Sequence, residues 1–206
     1  MTLTNYQEMQ KVSRHLSDEV PKIYGLENTF PKIARLLGIK HGKNIFFESE
    51  EEINFIIDFY LNEYDCNGRT FFEQYREDHP NIDAQQIAYL DAAKNSRTSF
   101  FKVIELNPRE GMLTVEDLLN PSGPLNITNR SLSRTGELGY IVFSRFLSFG
   151  EFNAFSGMYA VFPNNHSLLK KHKIMKRRVK SDKDSIQRFV AAFKLNRTFG
   201  IEIRTS

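Results

Sequence analysis

Seven cations stand within eleven residues, at Lys170, Lys171, Lys173, Lys176, Arg177, Arg178 and Lys180, with no acidic residue among them. Ammonium and guanidinium groups at this density neutralise anions, whether the phosphates of a nucleic acid or the acidic face of a protein. At about 100° per residue, Leu168, His172, Met175 and Val179 fall on one narrow side of a helix and the cations spread over the rest. The pattern predicts an amphipathic helix over 165–180, docked by its apolar stripe. A solvated charged face, or one paired with an acidic region of the same chain, has the same composition. A second cluster, Arg130-Ser131-Leu132-Ser133-Arg134, mixes cations with hydroxyls as phosphate contacts do, and Arg145 follows it. A capped turn between two strands would read the same way.

Other side chains point to no familiar chemistry. Neither a glycine-rich phosphate loop nor a G-x-S-x-G elbow occurs. No Glu is followed two residues later by Lys, which removes the acid-and-lysine pattern of many nucleases. Ser167-Leu168-Leu169-Lys170 matches S-x-x-K without its companion motifs. The five histidines are scattered, and the six-residue spacing of His166 and His172 puts them on different sides of a helix. They read as capping or surface residues. Glu50-Glu51-Glu52 suits the first turn of a helix, where acids complement the dipole. Cys66 is the sole cysteine, which rules out an internal disulfide and a cysteine-rich zinc site. Its acidic neighbour Asp65 disfavours the thiolate. No metal ligand set and no cofactor are expected.

The elements that must carry these residues follow from periodicity and turn signals. Met9, Val12, Leu16 and Val20 share one side of a helix over 5–20, with Pro21 as its stop. Residues 21–48 read as irregular, with a short helix at 33–37. Ser49 followed by Glu52 forms a capping-box pattern before Ile53, Ile56, Ile57, Tyr60 and Leu61. Asn67-Gly68 turns the chain, and Thr70 with Glu73 opens a second helix that His79-Pro80 closes. A third runs from Asp83 to Asn95. From Ser99 to Tyr159 the period becomes that of strands, at 99–106, 112–116, 125–129, 140–148 and 152–160, with a hairpin over 147–152. After Pro163 comes the basic helix, capped by Asn164 or Asn165. Ser181 and Asp184 precede another over 186–195, and an edge strand near Phe199–Ile203 ends the pattern.

That order defines an α+β fold: N-terminal helices, a small antiparallel β-sheet or partly open barrel, and C-terminal helices. Three segments are expected, at 1–48, 49–163 and 164–206. The 18 Phe residues, against no Trp, are expected to build much of the core. Charge is split unevenly: residues 1–120 hold 13 Lys/Arg against 20 Asp/Glu, and residues 121–206 hold 15 against 5. The lack of a disulfide framework and of an apolar signal segment in Met1–Gln10 points to the cytoplasm. No apolar run is long enough for a membrane span, since Asn54 and Asp58 interrupt Ile53 to Leu61.

Residues from about Phe47 to Pro163 resemble a bacterial domain of uncharacterised function that often accompanies the SEC-C motif. The resemblance rests on Asp58-Phe59, Gly68-Arg69-Thr70, the run from Ser96 to Val103, and Leu118-Leu119. It continues through Arg130 to Arg134, Ser144-Arg145-Phe146 and Phe155-Ser156-Gly157. It implies a shared fold. The SEC-C motif is a zinc site built from cysteine and histidine, and this chain, with Cys66 alone, does not supply it. The functional expectation is a non-catalytic binding or adaptor module meeting nucleic acid or an acidic protein through its basic C-terminal half. The alternatives are a protein-interaction or structural role without nucleic acid, and an enzyme of unrecognised type. The oligomeric state is left open.

Overall fold

A computed structural model of the chain describes residues 3–64 and 68–201. Cys66, Asn67 and the tail beyond Ile201 lie outside them. Helices α1 (Leu3–Tyr24), α2 (Leu26–Leu37), α3 (Glu52–Asn62), α4 (Phe71–Asp78) and α5 (Ala84–Lys94) come first, with a short ribbon of β1 (Lys40–His41) and β2 (Asn44–Ile45) after α2. Strands β3 (Arg97–Asn107), β4 (Met112–Asp117), β5 (Pro124–Thr128), β6 (Ile141–Ser148) and β7 (Asn153–Phe162) follow, with α6 (Arg130–Thr135) between β5 and β6. Helices α7 (Leu168–Lys176) and α8 (Asp184–Phe199) end the order. The fold is α+β, as expected.

The five strands close into a barrel in the order β3-β4-β5-β7-β6. Four pairings are antiparallel, and β5 meets β7 in parallel at Thr128 and Ala154. The barrel is therefore closed rather than partly open, and the sheet is mixed. Alternation along each strand sorts side chains between two apolar clusters. Phe101, Val103, Val115, Ile127, Val142, Phe146 and Phe155 fill the barrel, together with Leu132 of α6. Phe100, Phe143 and Phe162 belong to the other cluster, which takes Val12 and Leu16 of α1, Phe59 of α3, Leu168 of α7 and Phe189 of α8.

Phenylalanines hold that helix–barrel contact together. Phe189 meets Phe59, Phe55 and Phe143 edge-on, at ring distances of 5.2, 5.8 and 6.0 Å. Phe143 in turn lies 5.0 Å from Phe100. Edge-to-face pairs add to the burial of large apolar area.

A buried ion network crosses the same contact. Arg145 of β6 points away from the barrel interior, and its Nε donates to Asp58 of α3 at 2.9 Å. Its other nitrogens donate to Glu63 at 2.7 Å and to the Ser96 hydroxyl at 3.1 Å. The second Asp58 oxygen accepts from the Ser156 hydroxyl at 2.8 Å. Burial alone would favour the neutral arginine, but Asp58 and Glu63 hold the guanidinium above its usual pKa. Ser156 reaches Asp58 because β7 bulges against β6 between the pairs Ser144–Tyr159 and Phe146–Phe155. Gly157 in that bulge has φ +97°, which favours glycine.

Several local expectations change. Pro21 lies inside α1 and Pro31 inside α2, so α1 runs on to Tyr24 and much of 21–48 is helical. Each proline removes one backbone donor, while burial of Val20, Ile33 and Leu37 keeps the helical path. Gly25, at φ 67°, separates the two helices. Glu52 does not close a capping box with Ser49. Glu51 is the N-cap, and the Glu52 carboxylate accepts from the Glu48 N–H and from Arg197 of α8 at 2.7 Å. The boxes at Thr70–Glu73 and Asp83–Gln86 are both formed. Helix α8 starts at Asp184 with Lys183 at its cap, while the Ser181 hydroxyl accepts the Lys183 N–H. At the tail, the Ile201 N–H donates to the Val161 carbonyl at 2.8 Å.

Because Phe189 joins α3, α8 and the barrel, Phe189→Ala is expected to destabilise the protein by about 3–5 kcal/mol. Phe46→Ala, at a ring 53 % exposed, is expected to change stability by about 0.5 kcal/mol or less. Urea unfolding of the two variants checks the difference.

Candidate functional site

The basic helix forms but is shorter than the spacing predicts. The Asn165 side-chain oxygen accepts from the Ser167 N–H and hydroxyl at 2.9 and 2.8 Å, and the helix proper runs from Leu168 to Lys176. Residues 177–179 continue as turns and a bend whose N–H groups donate back to the carbonyls of Lys173, Met175 and Lys176. Leu168, His172 and Val179 are buried and Met175 is partly so, which seats the apolar side as expected. Two of the seven cations are engaged: the Lys171 ammonium lies 3.8 Å above the Phe199 ring, and Lys176 pairs with Asp184. Lys170, Lys173, Arg177, Arg178 and Lys180 are exposed and form no ion pair among the described residues.

His172 is neither a cap nor a surface residue. Its ring stands edge-on to Phe100 at 4.8 Å, and its Nε2–H donates to the Arg188 carbonyl at 3.1 Å. Burial, with help from Lys176 and Arg188, lowers its pKa and keeps it neutral. Ser167, occupied by Asn165, makes no Ser–Lys pair with the exposed Lys170. Among the described residues, no group of three or more His, Cys, Asp or Glu converges on a point that would hold a metal ion.

Arg130 and Arg134 lie elsewhere, on α6. Asn129 caps this helix by accepting the Leu132 N–H at 2.9 Å, and Leu132 anchors it in the barrel. Both arginines are exposed, and with Arg14 of α1 they line a cleft of about 480 Å³. Its walls are α1, Tyr89 of α5, α6, and the turn and strand from Phe149 to Tyr159. Among the described residues, no carboxylate lines it, and neither does any cation of 170–180. The tyrosines keep their protons: burial pushes Tyr6 and Tyr89 up to about 12. The Tyr6 hydroxyl accepts from Gln10 at 2.9 Å, and the Tyr89 and Ser13 hydroxyls share a hydrogen bond of 2.8 Å. A second cavity of about 510 Å³ shares Ser13, Arg14, Tyr89, Ser156 and Gly157 with the first and extends to Asp18 and Asp58. At its far end Asp58 is already held by Arg145 and Ser156.

The cleft thus brings together two of the cations singled out in the sequence with one that was not. Arg14 carries no local signal, because its partners are more than 100 residues away. Arg145, grouped in the sequence with the basic cluster, is a buried structural cation instead, 3 % exposed. Its position inside the apolar run Ile141-Val142-Phe143-Ser144-Arg145-Phe146-Leu147 is the signal that could have shown this.

The histidine sets a pH dependence. His172 binds a proton less readily in the folded protein than in the unfolded chain, whose value is near 6.5. Its contribution is therefore complete above 6.5 and is lost as the pH falls through that value, with a slope of at most about 1.4 kcal/mol per pH unit. Urea unfolding at a series of pH values is expected to give a flatter profile for His172→Gln than for the wild type over this range.

No helix among the described residues is long and apolar enough to cross a membrane. No curated protein and no solved structure matches the chain. The model of a family of unknown function, DUF7986, matches residues 1–206, and the chain belongs to that family.

Proposed function

We propose that the protein is a non-catalytic binding or adaptor module that engages a polyanion, nucleic acid in the first instance, through the basic segment after Pro163. The observation that carries this reading is the set of five exposed cations, Lys170, Lys173, Arg177, Arg178 and Lys180, which form no ion pair among the described residues and stand on a helix and turn whose apolar side is anchored. The backbone that carries them is already ordered, so meeting phosphates costs side-chain freedom but no folding of the segment. The positive balance of residues 121–206 adds a longer-range attraction. The single cysteine is in keeping with a reducing cytoplasm.

No base-reading motif occurs in the segment, so binding is expected to be electrostatic and indifferent to sequence. Log affinity for duplex DNA should fall with log salt at about −0.9 per phosphate contact. Lys173→Gln/Arg177→Gln/Arg178→Gln is expected to weaken binding to all sequences alike and to flatten that slope. Fluorescence anisotropy with labelled duplexes measures both. Unchanged affinity in the triple variant, or no binding by the wild type at low salt, contradicts the reading. Salt-sensitive capture of a polyglutamate chain, with none of duplex DNA or RNA, would favour an acidic protein as the partner.

A further inference from the structure

The cleft between α1, α6 and the 149–159 segment is a distinct positive site, and we infer that it binds a small phosphomonoester carrying a flat ring. This inference does not depend on the basic segment, none of whose cations reaches the cleft.

The charge of the lining points to the phosphate. Arg14, Arg130 and Arg134 come from two elements remote in sequence, and among the described residues no carboxylate lines the cleft beside them. Three guanidinium groups around one concavity repel each other unless an anion sits among them, and the forked N–H pairs of arginine match the oxygens of a phosphate. A dianion suits three cations better than a monoanion does. The three exposed side chains can converge on one ligand because the cleft is concave.

Hydroxyl groups add neutral donors. Tyr6 accepts from Gln10, so its own proton is available to a ligand. In the Ser13–Tyr89 pair one hydroxyl donates to the other, which leaves one proton for an incoming oxygen. Both tyrosines carry their protons at neutral pH.

The remaining walls suit a ring. Phe149 is stacked on Phe152 at 4.7 Å and approaches Tyr89 at 6.2 Å, so its orientation is fixed before a ligand arrives. Phe155, Leu147 and Met9 complete an apolar side next to the arginines. A volume of about 480 Å³ lies within the range of small-molecule sites, roughly 300–1,000 Å³. Gly157, in the same wall, leaves space beside the backbone, since an added Cβ would meet no atom within 4 Å.

The test is calorimetric titration of the full chain with the four ribonucleoside 5′-monophosphates and phenyl phosphate, beside the matching nucleosides and inorganic phosphate. At least one phosphomonoester is expected to bind saturably, and more tightly than its nucleoside and than inorganic phosphate. Arg130→Gln and Arg134→Gln, at exposed positions where the fold is undisturbed, are each expected to weaken it by roughly 10-fold or more, as for loss of a hydrogen bond to a charged group. Lys173→Gln/Arg177→Gln/Arg178→Gln should bind it unchanged, which separates this site from the basic segment. Failure of every phosphomonoester to bind, or wild-type affinity in both arginine variants, overturns the inference. Inorganic phosphate binding as tightly as the best phosphomonoester overturns its ring component.

Discussion

A guanidinium buried against an apolar surface must be paired and hydrogen-bonded, because the uncompensated charge costs several kcal/mol. Arg145 meets that condition at the seam between the helices and the barrel. Asp58 of α3 and Glu63 at its C-cap grip it from one side, and Ser96, just before β3, grips it from another. Apolar packing alone tolerates small slides and rotations of a helix. A directional network of this kind does not, since each hydrogen bond fails within a few tenths of an ångström. The position of α3 on the sheet therefore depends on one strand residue as well as on the phenylalanine contacts, and α1, which packs on α3 and α5, follows α3.

This dependence reaches the candidate sites by different routes. Ser156 is tied to Asp58 and lies in the wall shared by the two cavities, so the β7 side of the cleft is set by the same network. Arg14 comes with α1. Arg130 and Arg134 come instead with α6, which is fixed by Leu132 inside the barrel. The basic segment is the least dependent: α7 rests on α8 and on Phe100 through His172. The two positive surfaces also differ physically. Exposed cations on α7 are screened by salt over about 8–10 Å, whereas arginines at a concave wall act on a ligand at short range. One suits a long polyanion and the other a small one.

The sequence made the barrel strands legible because alternation and turn residues are local signals, and all five appear within a few residues of their expected ends. What closes the barrel is not local. The parallel meeting of Thr128 with Ala154 joins strands from opposite ends of the sheet, and no pattern within either strand specifies it. The misread helix starts have a similar cause. Glu52 matches a capping box, but Arg197 lies close enough in space to take the carboxylate. Pro21 and Pro31 look like stops, yet the burial of their neighbours outweighs one lost hydrogen bond each. At the functional level, the cations of 170–180 were visible as a run, while the cleft was not, because Arg14 and Arg134 become neighbours only through the fold.

The central claim is that Arg145 fixes the helical layer on the barrel. Urea unfolding of Arg145→Met, compared with Arg145→Met/Asp58→Asn/Glu63→Gln, tests it most directly. Removing the cation alone leaves two carboxylates buried without a counter-charge, and a loss of about 3–5 kcal/mol is expected. Neutralising both carboxylates as well should restore more than half of that loss. A loss below about 1 kcal/mol in Arg145→Met, or a triple variant no more stable than the single one, would contradict the account.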